Sequence, residues 1–147
     1  MPKTDLRKKL GCLGERLAET WLSGKGYRLV RRNYTLPGGQ IDLIMYSPQG
    51  NLVIFEIKTR RAALSGLPMR RPGHLPTRPP GDGNFPVEHR IGPRQLMTLR
   101  RAAGHFLALN PFPFASWQLD LLWITLYPAA GGAHTAKIRH YQDVLGV

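Results

Sequence analysis

The sequence predicts an α/β domain, a sheet with one helix early and one late. Three observations predict it: apolar residues at helical spacing near the N-terminus, two adjoining runs rich in Ile, Leu, Val and Phe, and a second helical stripe after a long Pro/Gly-rich break. The 147 residues are expected to form a single domain with one core.

Taken in order, Leu10, Leu13, Leu17, Ala18, Trp21 and Leu22 mark the first helix, which ends near Ser23-Gly24-Lys25-Gly26, where glycine supplies a left-handed cap. Tyr27 to Arg32 is expected to be a short strand, and Ile41 to Tyr46 and Leu52 to Thr59 longer ones. Between the last two, Ser47-Pro48-Gln49-Gly50-Asn51 suits a three-residue hairpin loop. Residues 64–90 hold six Pro and four Gly with little periodicity, a loop or insertion that is either functional or disordered. Pro93 opens the second helix, Leu96, Leu99, Ala103, Phe106 and Leu107 give its apolar side, and Asn110-Pro111 stops it. Trp117 to Leu126 and Ala136 to Tyr141 complete the order α-β-β-β-α-β-β.

The net charge of +12 is uneven. Residues 1–34 carry nine basic and three acidic side chains, residues 60–101 carry nine Arg and two acids, and residues 35–59 come to −1. Two basic stretches thus flank a nearly neutral middle, a pattern suited to a polyanion. Nucleic acid is the expected partner, through Arg60, Arg61, Arg70, Arg71, Arg78 and Arg94. Lipid is disfavoured because the basic residues do not fall on one amphipathic helix, and no apolar run reaches bilayer-spanning length, so no membrane association is expected. Cys12 is the only cysteine, which excludes an internal disulfide and a thiolate metal cluster and suits the cytoplasm. The five histidines lack close metal-ligand spacing.

The chemistry concentrates on the central hairpin. Alternation puts Glu56 and Lys58 on one strand face and Asp42 with Ile44 and Tyr46 on the neighbouring strand. If Ser47 faces Asn51, counting outward pairs Tyr46 with Leu52, Ile44 with Ile54 and Asp42 with Glu56. Opposed side chains about 5 Å apart let two carboxylates hold one divalent cation, and without a positive partner they would repel. Mg2+ or Mn2+ fits such oxygen ligands, and Lys58 would orient water or stabilise charge on a phosphate. Taken alone, Glu-x-Lys is an ordinary solvated pair, and only its pairing with Asp42 raises it above that. Glu15 lies on the flank of the first helix's apolar stripe; spacing leaves it open between a fourth site member and a surface residue. Asp120, an acid in an apolar strand, is expected to pair with an Arg or a backbone donor. Trp21, Trp117 and Trp123 are expected in the core, with Tyr34 and Tyr46 better placed for contacts.

Gly11-Cys-Leu-Gly14-Glu15-Arg-Leu-Ala18, Gly26-Tyr27-Arg28, Arg32-Asn33-Tyr34, Gly39-Gln-Ile-Asp42-Leu-Ile44 and Phe55-Glu56-Ile-Lys58-Thr-Arg60 follow in order. Together they resemble the YraN-like family of uncharacterised bacterial proteins, from about Leu10 to Arg60 and more weakly at 93–107 and 118–124. The resemblance implies a restriction-endonuclease-like, PD-(D/E)xK core, a mixed sheet flanked by helices, similar to archaeal Holliday-junction resolvases. It further implies catalytic positions at Glu15, Asp42, Glu56 and Lys58, with Glu15, Asp42 and Glu56 binding Mg2+ or Mn2+. The family usually has Glu where this chain has Gln40, which is expected to pair across from Lys58 as an outer-shell group. The implied activity is metal-dependent cleavage of DNA, branched DNA included. The alternative is a non-catalytic nucleic-acid-binding module that retains the fold, toward which Gln40 leans. An adaptor for an acidic protein is a third reading that leaves the carboxylates idle. A homodimer is compatible with the sequence.

Overall fold

The computed structural model describes residues 3–62, 91–111, 116–128 and 134–144. The elements are α1 (Lys3–Gly24), β1 (Arg28–Leu36), β2 (Gly39–Tyr46), β3 (Leu52–Arg61), α2 (Pro93–Leu109), β4 (Trp117–Pro128) and β5 (His134–Tyr141). This is the expected order. The strands lie β1-β2-β3-β4-β5 in one sheet. Only β3 and β4 run parallel, joined by the connection containing α2, and the other neighbours are antiparallel. The fold is therefore α/β with a mixed five-stranded sheet flanked by helices, an arrangement compatible with a nuclease-like core. The expected loop or insertion at 64–90, with Arg70, Arg71 and Arg78, lies outside the described residues.

Each helix covers one sheet face. Ala18 and Leu22 of α1 pack with Leu43, Met45, Val53, Phe55, Leu122, Ile124 and Leu126. Leu99, Ala102, Ala103 and Phe106 of α2 pack with Ile41, Ile44, Leu52, Ile54, Leu119 and Leu121. α1 ends as its glycine predicts. Gly26 adopts φ +93, its N–H donates to Ser23 O at 3.1 Å, and Tyr27 N–H donates to Leu22 O at 3.1 Å, closing the last turn. The 47–51 loop is also as expected: Ser47 N donates to Asn51 O at 2.8 Å, and Gly50 turns at φ +86.

Three expectations are revised. α1 begins at Lys3 rather than near Leu10, its charged first turns exposed and carrying a Lys9–Asp5 pair at 3.7 Å one turn apart. β1 runs on to Leu36 because it forms a tight hairpin with β2 through Pro37-Gly38, where Gly38 takes φ +87. Trp117 is 36% exposed rather than core. Asp120, fully buried, has the backbone donor expected of it, the Asp143 N–H at 2.9 Å, and adds Gln118 Nε2 (2.8 Å) and His140 Nε2 (2.6 Å) as side-chain partners.

Candidate functional site

The central hairpin has the register expected from its loop, Tyr46 with Leu52 and Ile44 with Ile54, but the ladder ends at Leu43–Phe55. Strict alternation fails there. Ile41 and Ile44 both face the α2-side core, while Leu43 and Met45 face the α1 side. Asp42 sits at the switch, next to β1, where Asn33 takes the left-handed conformation at φ +50. Asp42 and Glu56 are therefore not a regular ladder pair. Instead Asp42 Oδ2 accepts from the backbone N–H of Ile57 at 2.9 Å, replacing the strand partner that the split removes. The two carboxyl groups still meet, sharing a side-chain hydrogen bond.

Two glycines set how closely the helices approach this split. A Cβ on Gly14 would stand 1.8 Å from Thr59 Oγ1, so only glycine lets α1 rest on β3 beside the site. A Cβ on Gly39 would stand 2.3 Å from Thr98 Cγ2, so α2 rests equally closely on the start of β2. Beside these close approaches, Glu15, next to Gly14, reaches electrostatic range of Asp42 from one side, and α2 brings its first turn to Glu56 and Lys58 from the other.

That first turn holds a residue which the sequence reading missed. Gln95 Nε2 donates to Glu56 Oε1 at 2.6 Å, and Gln95 Oε1 accepts from Lys58 Nζ at 3.1 Å. Lys58 Nζ lies 3.2 Å from the same Glu56 oxygen, which closes a triangle. Because an ammonium only donates, the amide must turn its oxygen to Lys58 and its nitrogen to Glu56. The signal was present, since Gln95 falls one turn before Leu99 on the buried stripe of α2, a polar residue on an apolar face. Gln40, by contrast, does not meet Lys58. Past the end of the ladder it turns outward, and its Nε2 donates to Asn33 Oδ1 at 2.9 Å.

The electrostatics follow from burial. Glu56 is 6% exposed, and burial, then the charge of Asp42, pushes its carboxyl up to about 7, with Lys58 pulling the other way. Burial also raises Asp42, against the lowering effects of the Ile57 N–H, Lys58 and the hydrogen bond with Glu56. Glu15 is raised by burial and then by Asp42. Glu15 does not close with the other two into a three-ligand cluster, and among the described residues no group of three His, Cys, Asp or Glu is gathered tightly enough to hold a metal ion. Mutual repulsion is the physical reason for three anions to stand apart when nothing positive lies between them. The donor set still fits a hard divalent cation, being two neighbouring carboxylates whose charged forms are disfavoured first by burial.

Of the expected nucleic-acid contacts, Arg60, Arg61 and Arg94 are exposed. Arg60 and Arg61 end β3, and Arg94 lies in the same turn of α2 as Gln95. The Arg60 guanidinium lies 5.4 Å from the ring centre of Trp123. Tyr34 is used in packing, hydrogen-bonded to His105 Nδ1 at 2.8 Å and set edge-on to Phe106.

Comparison with known proteins covers the whole of this site. A protein of Mycobacterium tuberculosis is 29% identical over 143 residues, spanning 97% of this chain and 96% of the relative. One of Mycolicibacterium vanbaalenii is 28% identical over 145 residues, 98% of this chain and 99% of the relative. One of Mycobacterium avium is 29% identical over 142 residues, 96% and 93%. All three carry the name UPF0102 protein. The family model for the same group matches residues 14–124, a span that begins at Gly14, where α1 meets β3, and takes in Glu15, Asp42, Glu56, Lys58 and Gln95. The chain thus belongs to the uncharacterised protein family UPF0102, in agreement with the YraN-like resemblance of its motifs.

Proposed function

We propose that this protein is a Mg2+- or Mn2+-dependent phosphodiester hydrolase that acts on DNA. The observation that carries the reading is the Asp42–Glu56 carboxyl pair at the split between β2 and β3, Glu56 buried and Asp42 half-buried, with Lys58 as its cationic neighbour among the described residues. Asp42 and Glu56 would hold the metal, with Glu15 as a third carboxylate within electrostatic reach. Such a metal, when bound, polarises the phosphate and activates a water. The chain's own contribution is positional. The Ile57 N–H fixes one oxygen of Asp42, and Gln95 together with Lys58 fixes Oε1 of Glu56. The Lys58 ammonium, held beside them, would offset negative charge developing on the phosphate. The excess of basic residues supplies attraction for the polyanion.

The test is incubation of the purified protein with linear duplex, branched and single-stranded DNA and with RNA, with and without each metal. Metal-dependent cleavage of DNA that disappears in Asp42→Asn is the expected result. A wild type inert on every substrate with both metals, yet still binding DNA, would replace this reading by that of a non-catalytic binding module. That alternative draws on Gln40 being engaged with Asn33 rather than with the site.

A further inference from the structure

Beside the candidate site, β1 and β2 turn over together. Arg32 pairs with Leu43 and Tyr34 with Ile41. The first rung faces α1: Leu43 lies in the α1-side cluster, and the Arg32 guanidinium donates to both carboxylate oxygens of Glu19, at 2.7 and 2.6 Å. The second rung faces α2: Ile41 and Tyr34 pack in the α2-side cluster, and the Tyr34 hydroxyl meets His105 Nδ1 at 2.8 Å. Residues two apart on a regular strand share a face. Here they point to opposite helices on both strands, so the residue between them must leave the regular conformation. On β1 that residue is Asn33, at φ +50, and on β2 it is Asp42.

The turn is what releases Asp42 from the sheet. Every other residue of β2 has a partner on β1, on β3 or on both, whereas Asp42 has a rung on neither side. Its carboxylate can therefore take the Ile57 N–H at 2.9 Å and meet Glu56. Asparagine suits the task, because apart from glycine it is among the few residues that enter the left-handed region readily. Two contacts hold Asn33 there. Gln40 Nε2 donates to its Oδ1 at 2.9 Å, and Thr35 Oγ1 donates to its backbone O at 3.2 Å. Thr35 and Gln40 are themselves the rung that follows Tyr34 and Ile41. A residue at 33 that favoured extended backbone would draw β1 back into alternation, and either Arg32 or Tyr34 would lose its helix.

We infer that Asn33 is a positioning residue for Asp42: its left-handed backbone turns β1 over in step with β2, and Gln40 holds it in that conformation. Asn33 touches no ligand and acts through the strand opposite. Gln40 then serves the site one residue removed, through Asn33, rather than across from Lys58. The consequence for catalysis rests on the metal-site reading proposed above, whereas the hold on Asp42 does not.

Exchange of the Ile57 amide with solvent, followed by NMR, reads the position of Asp42 without metal or substrate. Leu52, whose N–H donates to Ser116 O at 2.9 Å, is the reference that cancels a change in overall stability. Asp42→Ala sets the rate without the acceptor. Asn33→Gly keeps the left-handed backbone and loses only the side-chain contact, while Asn33→Ala loses both. Relative to Leu52, Ile57 should exchange about tenfold faster in Asn33→Ala than in Asn33→Gly, the penalty for a Cβ in the left-handed region. The glycine variant should stay within about threefold of wild type. In manganese calorimetry and cleavage, Asn33→Ala should lose about 10–100-fold, chiefly in kcat, and Asn33→Gly should recover most of it. Equal Ile57 exchange in the two variants overturns the inference, whatever their melting temperatures. Should Asn33→Ala not fold, Gln40→Ala carries the test: Ile57 exchange about threefold faster supports the inference, and unchanged exchange overturns it. A wild type that neither binds manganese nor cleaves, with the expected exchange pattern, keeps Asn33 as the support of Asp42 and removes the nuclease reading. A protein that cleaves equally well as Asn33→Ala, with Ile57 still protected, does the reverse.

Discussion

The sheet buries acid in two places, and the two are treated in opposite ways. Asp120 on β4 is fully buried, and its two oxygens accept from Gln118, from His140 and from the backbone N–H of Asp143. Its second oxygen belongs to His140, which is itself enclosed by the rings of Trp21, Tyr27 and Phe55. The Asp143 N–H together with Val144 N donating to Leu119 O fastens the end of the described chain to β4. Asp42 and Glu56, two strands and one strand away, lie together with one lysine and one amide for company among the described residues. Burial alone therefore does not mark a site. Asp120 is an acid whose hydrogen bonds the fold supplies, while the pair on β2 and β3 has among the described residues one lysine and one amide beside it, and it is there that the proposed cation would sit.

The sharpest way to break this comparison is to remove each acid in turn. Asp42→Asn and Glu56→Gln should lower metal-dependent cleavage by about a thousandfold or more, the several kcal/mol that a positioned metal contributes to the transition state. Their thermal stability should stay level or rise, because each relieves a repulsion. Asp120→Ala should show the opposite signature. It leaves His140 and a backbone N–H without their acceptor, so denaturant melts should show a loss of about 3–5 kcal/mol. Cleavage per folded molecule and metal binding should be unchanged. An Asp120 variant that folds normally but no longer cleaves would mean that the two sites had been assigned the wrong way round.

A smaller effect distinguishes the sites by pH. The carboxyl of Glu56 is pushed up to about 7 in the folded protein, from an ordinary 4.5. A raised carboxylate binds its proton more tightly when folded, so its contribution to stability is full below pH 4.5 and is lost as pH rises toward 7. The loss is on the order of 2–3 kcal/mol across that window, read as a metal-free melting temperature that falls more steeply in wild type than in Glu56→Gln. Magnesium or manganese should counter it above pH 7, where the ligands are deprotonated, by about 2.7 kcal/mol at a hundred times the dissociation constant. Parallel curves for the two proteins, or a metal-induced rise that survives in Glu56→Gln, would detach the titration from this site.

How much of this was visible in the sequence depends on how local each cause is. The hairpin register was legible because the 47–51 loop and the left-handed Gly50 fix it within a few residues, and the end of α1 was legible from Gly26. The break in alternation at Asp42 was not. It depends on Ile41 and Ile44 sharing one core while β1 bends at Asn33, a compromise among three strands. The expected Asp42–Glu56 ladder pair consequently became a side-chain contact, and the expected Gln40–Lys58 pair did not form. Gln95 was hidden for a similar reason. Periodicity tells which face of α2 is buried, but not which strand residue that face meets. The β1–β2 hairpin, in contrast, has a local cause, Pro37-Gly38, with Gly38 at φ +87.

The finest test of the contrast concerns that glutamine, because the pair it serves is the one the fold leaves short of partners. Gln95 holds the lysine and the carboxylate at once, with 3.1 Å and 2.6 Å contacts, and Gln95→Met removes both while keeping the length and flexibility of the side chain. Loss of a residue that orients a metal ligand typically costs 10–100-fold in metal affinity or activity, so the variant should fall in that range, with the change in kcat exceeding that in KM and with weaker manganese binding by calorimetry. Gln95→Glu divides the effect. Its carboxylate can still accept from Lys58 but cannot donate to Glu56, and it adds a like charge beside it. If this variant binds manganese and cleaves like wild type, the lysine contact is the one that matters; if it resembles Gln95→Met, the grip on Glu56 is. Full activity and unchanged metal affinity in Gln95→Met would show that Glu56 and Lys58 hold their places without α2, and the triangle would then be packing rather than positioning.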